Sequence, residues 1–187
     1  MKKLLTFCIL IASLCGSIAA KNNILSTQSP SEPPLREMRA VWLTTIGGID
    51  WPRTYAHSQS TIRMQQEELC RILDQLQKAN INTILLQTRI RATTIYPSTM
   101  EPWDACLTGH AGVSPGYDPL AFAIEECHKR GMQLHAWMVT IPAGKWNGAG
   151  CKNLRSTHPN LMKKIGDEGF INPEASGAAD YLAALCR

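Results

Sequence analysis

From residue 38 onward, short apolar runs alternate with amphipathic stretches. "MRAVWLTT" (38–45) is brief, β-branched and aromatic, and reads as a strand. Within residues 60–79, Leu69, Ile72, Leu73 and Leu76 recur at helical spacing, with Gln, Glu, Arg and Lys on the opposite face. Residues 82–89 form a second apolar run and predict a second strand. Asp118-Pro119 predicts a helix start, since Asp caps well and proline suits the first helical position. Leu120, Ala123, Ile124 and Cys127 supply its apolar stripe, Lys129 and Arg130 sit at its negative end, and Gly131 stops it. "MQLHAWMV" (132–139) predicts a third strand. Asn172-Pro173 repeats the cap-plus-proline device and predicts a third helix through Tyr181 and Leu182 to Leu185.

Near-continuous apolar strands separated by amphipathic helices imply an α/β fold with a parallel sheet covered by helices. A doubly wound sheet and a (β/α)8 TIM barrel both satisfy that order. No glycine fingerprint follows the first or second strand, which removes the main support for a dinucleotide fold. A barrel takes ~250 residues, so residues 37–187 hold only the first three β/α units. The closing "AALCR" ends where a further strand is due, and the chain is expected to be the N-terminal part of a longer protein.

The first 20 residues carry two lysines, an apolar stretch from Leu4 to Cys15, and then small residues, the layout of a signal peptide. The apolar stretch is short of the ~20 residues a membrane span needs, so no stable span is expected after cleavage and the protein is expected to be exported, to the periplasm or beyond the cell. Residues 21–36 are polar and Pro/Ser-rich and read as a flexible linker. Formal charge is +4, and Lys2 and Lys3 would leave with the signal, so no nucleic-acid footprint remains. The five cysteines outside the signal include no C-x-x-C pair, which argues against a zinc site and against a full disulfide framework. Cys70 and Cys127 fall on apolar helix faces. The histidines show no ligand spacing, and neither metal nor cofactor is expected.

The loops after the three strands are long, which suggests binding duty. They contain "GGIDWPRTY", "YPSTMEPWDACLTGHAGVSPGYD" and "TIPAGKWNGAG", so each carries a tryptophan: Trp51, Trp103 and Trp146. Flat aromatics beside Asp50 and Asp104 suit sugars, although the same rings could simply pin the loops. His135 and Trp137 share one face of the third strand. Gln87, Arg89 and Arg91 alternate at the end of the second strand, which would aim an amide and two guanidinium groups toward one face. That face would be the barrel mouth, or Arg89 would form a structural ion pair with Glu101 or Asp104.

Four stretches, "EMRAVWLTTIGGIDWP", "LLQTRIRATTIYPSTMEPWDACLTG", "YDPLAFAIEECHKRGMQLHAW" and "THPNLM…INPE", resemble in order the start of a glycosyl-hydrolase-like family 10 domain. The resemblance implies an exported O-glycosyl hydrolase acting on a polymeric glycan, of the cell wall or the diet. It places Arg39, Trp42, Gln87, Arg89, Tyr96, Trp103, His135 and Trp137 near the substrate. The chain departs from the family pattern in having no acid in "ATTIYPS" and Met138-Val139-Thr140 after His-Ala-Trp. Members also carry an Asp-rich segment on the fourth strand, which this sequence stops short of. Glycoside hydrolysis generally needs two carboxyl groups flanking the bond. Asp50, Glu101 and Asp104 do not end strands, so the catalytic residues are unknown here and expected beyond Arg187. The piece by itself would then be inactive. The alternative is a non-catalytic glycan-binding protein on the same scaffold.

Overall fold

The computed structural model describes residues 37–186; the expected signal peptide and linker lie outside the described residues. In chain order the elements are β1 (Ala40–Leu43), a 3-10 turn (Ile46–Gly48), α1 (Gln59–Lys78), β2 (Thr83–Ile90), β3 (Thr93–Thr94) and α2 (Pro119–Lys129). They continue with β4 (Gln133–Met138), β5 (Pro142–Lys145), α3 (Ala149–Thr157), β6 (Met162–Ile165), β7 (Glu168–Ile171) and α4 (Ala178–Leu185). The fold is mixed α/β. β2 pairs in parallel with β1 on one side and with β4 on the other.

The helices form where local chemistry satisfies their ends. Ser58 and Thr61 make a reciprocal capping box at the start of α1. Oδ1 of Asp118 accepts from Leu120 N and Ala121 N, both at 3.0 Å, and Pro119 opens α2. Register then decides which strand face each helix covers. The rows Val41–Ile84–Leu134 and Leu43–Leu86–Ala136 alternate with Trp42–Leu85–His135. Leu43, Ile84 and Leu86 are buried against Leu69 and Leu73 of α1 and Ala123 and Cys127 of α2. The row carrying Trp42 and His135 therefore lies on the opposite, helix-free face. There Trp42 is 59% exposed.

Between β4 and α4 the chain builds a second unit that sequence periodicity does not announce. β5, β7 and β6 form an antiparallel sheet in that order, and α3 packs on it. Its core contains Ala143, Cys151, Leu154, Leu161, Ile171 and Tyr181. The third loop is thus a folded insertion. The third helix also starts later than Asn172-Pro173 predicts. Asn172 Oδ1 accepts from Glu174 N at 3.3 Å and its carbonyl accepts from Ala175 N, so the pair closes a turn. The helix begins only after Gly177, whose φ of 86° redirects the chain.

Among the described residues all five cysteines are free thiols. Cys127 is buried, and burial pushes its thiol up to about 11. No described helix is long and apolar enough to cross a membrane.

Candidate functional site

The end of β2 organises the site, by a different geometry from strict alternation. A bulge between Gln87 and Arg89 sets Gln87 beside Trp137 and Arg89 beside Met138. Trp137 and Met138 are consecutive, so their side chains leave opposite faces of β4. Gln87 and Arg89 accordingly reach different partners, and the single face expected for them is not formed. Two residues on, Arg91 and Ala92 both take left-handed conformations, φ 56° and 55°, and the chain reverses into β3. Arg91 is an exposed turn residue instead of a third member of the row.

Gln87 is almost wholly buried. Its Oε1 accepts from Thr44 Oγ1 at 2.8 Å, Ile46 N at 3.0 Å and Thr45 N at 3.1 Å. One amide oxygen thus fixes the loop leaving β1. Arg89 is fully buried and bidentate to Glu101, Nε to Oε2 at 2.7 Å and Nη2 to Oε1 at 2.6 Å. Its Nη1 donates to the carbonyls of Val139 and Thr140, which holds the chain leaving β4. Tyr181 Oη donates to Glu101 Oε1 at 2.8 Å. Burial and then the Glu101 carboxylate push that phenol upward, so it remains a donor. Of the two roles open to Arg89, the structure realises the ion pair with Glu101.

The other expected site residues separate into groups. Trp42 and Trp137 meet edge-to-face at 4.8 Å on the helix-free sheet face, and His135 is exposed on that face. Tyr96 is half-buried, its hydroxyl donating to the Leu185 carbonyl at 3.4 Å. Trp103 is partly buried against the main core and bridges Thr94. Arg39 stands before β1 and bonds the Asn80–Asn82 segment that enters β2, at the other end of the strands. Of the loop tryptophans, Trp51 is buried, with Nε1 donating to Gln65 O at 2.9 Å, and Trp146 lies under Arg155 at 4.4 Å. Those two rings pin their loops.

A cleft of about 570 Å³ lies where the three strand-following segments meet. Gly47 and Tyr55 come from the first, Arg91, Asp104 and Gly109 from the second, and Gly144, Lys145 and Gly150 from the third. Two glycines make the third segment fit. A Cβ on Gly150 would stand 2.0 Å from Arg91 O, and one on Gly144 would stand 2.9 Å from Arg91 Cβ. Arg91, expected at the strand end from sequence, reaches the cleft from the turn after β2, whereas Tyr55 and Lys145 were not singled out as lining residues. The glycine-rich "AGKWNGAG" was the available signal.

The acids of the strand-following loops have structural duties. Asp104 accepts from Cys106 N at 2.7 Å and from Thr93 Oγ1, Asp50 accepts from Thr44 N at 2.8 Å, and Glu101 holds Arg89. Glu168 faces Lys145 at 3.5 Å. Among the described residues no group of His, Cys, Asp or Glu is arranged to hold a metal. The cleft presents one aromatic ring, Tyr55, two cations, Arg91 and Lys145, and two carboxylates, Asp104 and Glu168.

The parallel sheet, its covering helices and the cleft at the strand ends place the chain among α/β proteins whose loops form the site. The chain belongs to the glycosyl hydrolase-like 10 family, whose model matches residues 37–184. It is 41% identical over 176 residues to glycosyl hydrolase DigH of Escherichia coli K12, covering 86% of this chain and 39% of that protein. It is 36% identical over 151 residues to glycosyl hydrolase YngK of Bacillus subtilis, covering 79% of this chain and 29% of that protein. The chain therefore spans well under half the length of these relatives. In structure it is similar to the maltogenic α-amylase AmyB of Thermotoga neapolitana, with a TM-score of 0.52 at 14% identity, over 80% of this chain and 35% of that one. That likeness concerns the fold.

Proposed function

We propose that this chain is the first three β/α units of a (β/α)8 barrel in an exported glycoside hydrolase that cleaves O-glycosyl bonds of a polymeric glycan. The observation that carries the reading is the convergence of all three strand-following segments on one cleft. In barrels, that end of the strands is where active sites are built. Membership of a glycosyl hydrolase-like family supports the reaction class. The Trp42–Trp137 pair on the helix-free face supports a sugar, which offers an apolar ring face to an aromatic side chain. In this reading the chain supplies substrate contacts, through Trp42, Trp137, His135 and the cleft, and scaffolding, through Gln87 and Arg89. The catalytic carboxylates come from further strands, and the 187-residue piece has no hydrolytic activity of its own.

The test is release of reducing ends from cell-wall and dietary polysaccharides. The full-length parent is expected to cleave at least one glycan and residues 37–187 to cleave none. A second reading, a non-catalytic glycan binder, is favoured by the structural engagement of Asp50, Glu101 and Asp104. Glycan binding by the parent without any bond cleavage would select it. Export is tested by fusing residues 1–36 to a reporter active only outside the cytoplasm. Retention of the reporter inside would overturn that part.

A further inference from the structure

Charge is distributed unevenly over this fold. From Cys127 to Gly166 the sequence has seven lysines and arginines and no aspartate or glutamate, and Asp167 and Glu168 then follow where β6 turns into β7. Two of the seven are neutralised on the helices: Lys129 by Glu125 and Glu126, and Arg130 by Asp74 and Glu126. The remaining five all belong to the β5–β7 insertion. Lys145 stands 3.5 Å from Glu168, with both side chains well exposed. Lys152, Arg155, Lys163 and Lys164 meet no carboxylate among the described residues.

Two of these cations share a centre. The Arg155 guanidinium lies 4.4 Å from the centroid of the Trp146 ring, and Lys164 Nζ lies 5.7 Å from it. Lys152 stands three residues before Arg155 on α3, which puts the two on one helix face. The ring is seated by a glycine, since a Cβ on Gly169 would stand 3.3 Å from Trp146 and 2.4 Å from Cys151 Sγ. Lysines on an edge strand can serve to block strand-to-strand association, and β6 is such an edge. That duty accounts for Lys163 and Lys164, but it gives no reason for Lys152 and Arg155 on a helix.

We propose that Lys152, Arg155 and Lys164 around Trp146 form a docking face for a polysaccharide bearing carboxylate groups, an extension of the cleft beyond the bond-cleaving region. The inference rests on the glycan reading given above. Continuity supports it, because Lys145, Gly148, Gly150 and Glu168 of the same insertion line the cleft. A polymer leaving the cleft past these residues meets the cationic face next. Cations spaced along a surface match repeating charges on a stiff chain, and the attraction weakens with salt. A lipid surface is the poorer match, since Ile165 is the large exposed apolar residue of this insertion.

The experiment is affinity electrophoresis of the full-length parent through gels containing polygalacturonate, neutral dextran or no polymer. Retardation by polygalacturonate alone is expected, falling as salt rises. Lys152→Glu/Lys164→Glu should lose about tenfold in affinity or more, by removing two contacts and adding two repulsions. Arg63→Glu/Lys78→Glu, the same charge change on α1, should lose far less. Equal loss in both variants, or none in the first, would overturn the proposal. So would binding to phosphatidylglycerol vesicles or duplex DNA as tight as to polygalacturonate. Both variants alter exposed side chains, and their circular dichroism and melting should match the parent. Because the readout is binding, a parent that binds without hydrolysing removes the enzyme reading and leaves this one standing, whereas hydrolysis with no polyanion binding does the reverse.

Discussion

Around β2 the core is made by apolar strands of four to eight residues whose buried rows meet the stripes of α1 and α2, and by helix ends capped with Ser58 and Asp118. Around β7 it is made by strands of four residues, a small set of buried side chains, and places where a missing Cβ lets backbone touch backbone. Charge follows the same division. Arg130 is paired with Asp74 and Glu126 on the helices, while the insertion leaves most of its cations unpaired. The first region spends its sequence on packing a scaffold. The second hangs on that scaffold by close approach and presents an uneven, charged surface. Arg89 joins them, since one buried guanidinium grips Glu101 and the carbonyls of Val139 and Thr140 just before β5 begins.

Breaking that joint should give the largest effect. Arg89→Met leaves Glu101 buried without its cation, and removing one partner of a buried pair costs about 3–5 kcal/mol. The double variant Arg89→Met/Glu101→Leu should recover a large part of that loss, because no isolated charge remains. Urea denaturation of the parent protein measures both. A single-variant loss under about 1 kcal/mol, the range of exposed pairs, would show that the joint does not hold the two regions together.

The next effect should stay within the insertion. Gly150→Ala forces a methyl group against Arg91 O, and overpacking of this kind costs about 1–3 kcal/mol. Hydrogen exchange locates the damage. Amides of α3 and β7 should lose protection while those of β2 keep it. Uniform loss across both regions would mean that they unfold as one unit.

The same contrast explains how far the sequence could be read. The strands around β2 and both capped helices are legible because period and capping act over neighbouring residues, as at Leu69, Leu73 and Asp118-Pro119. Trp51 and Trp146 as loop pins, and Arg89 with Glu101, were visible as alternatives, since ring and charge announce a need for a partner without naming it. The insertion was not legible. "PAGK", "MKKI" and "EGFI" are too short and too polar to show alternation, and their pairing rests on long-range contacts. The bulge at Thr88 and the turn at Arg91-Ala92 were hidden for the same reason. Neither residue is a usual turn former, and β4 and the glycines of the third segment impose the geometry. Asn172-Pro173 shows the reverse error, a sound local signal for a helix start that the chain uses to close a turn.

On the helix surface, the paired charges predict a pH dependence. Hydrogen bonds from Lys129 and then Arg130 hold the Glu126 carboxyl at about 2, against an ordinary 4.5. Because the folded value is the lower one, the stabilisation is present above 4.5 and is lost as pH falls from there through 2. Glu126→Gln should lower the melting temperature at pH 7 and flatten its fall in that acid window. A variant whose melting temperature drops with acid as steeply as the parent's would remove Glu126 from the account.

The smallest effect should come from the Lys145–Glu168 pair, the one ion pair of the insertion among the described residues. Lys145 and Glu168 stand 3.5 Å apart, with 71% and 50% of their side chains exposed, and they join neighbouring strands across the β5–β7 ladder. Water screens such a pair and two side chains must be ordered to make it, so Glu168→Gln should change stability by less than about 0.5 kcal/mol. The substitution keeps the side chain's size and unmasks Lys145 beside the cleft. Stability and charge then separate. Urea midpoints should be indistinguishable from the parent's, while retardation by polygalacturonate should increase. An unchanged retardation would place Lys145 outside the path of the polymer, and a large loss of stability would show that the insertion depends on paired charge after all.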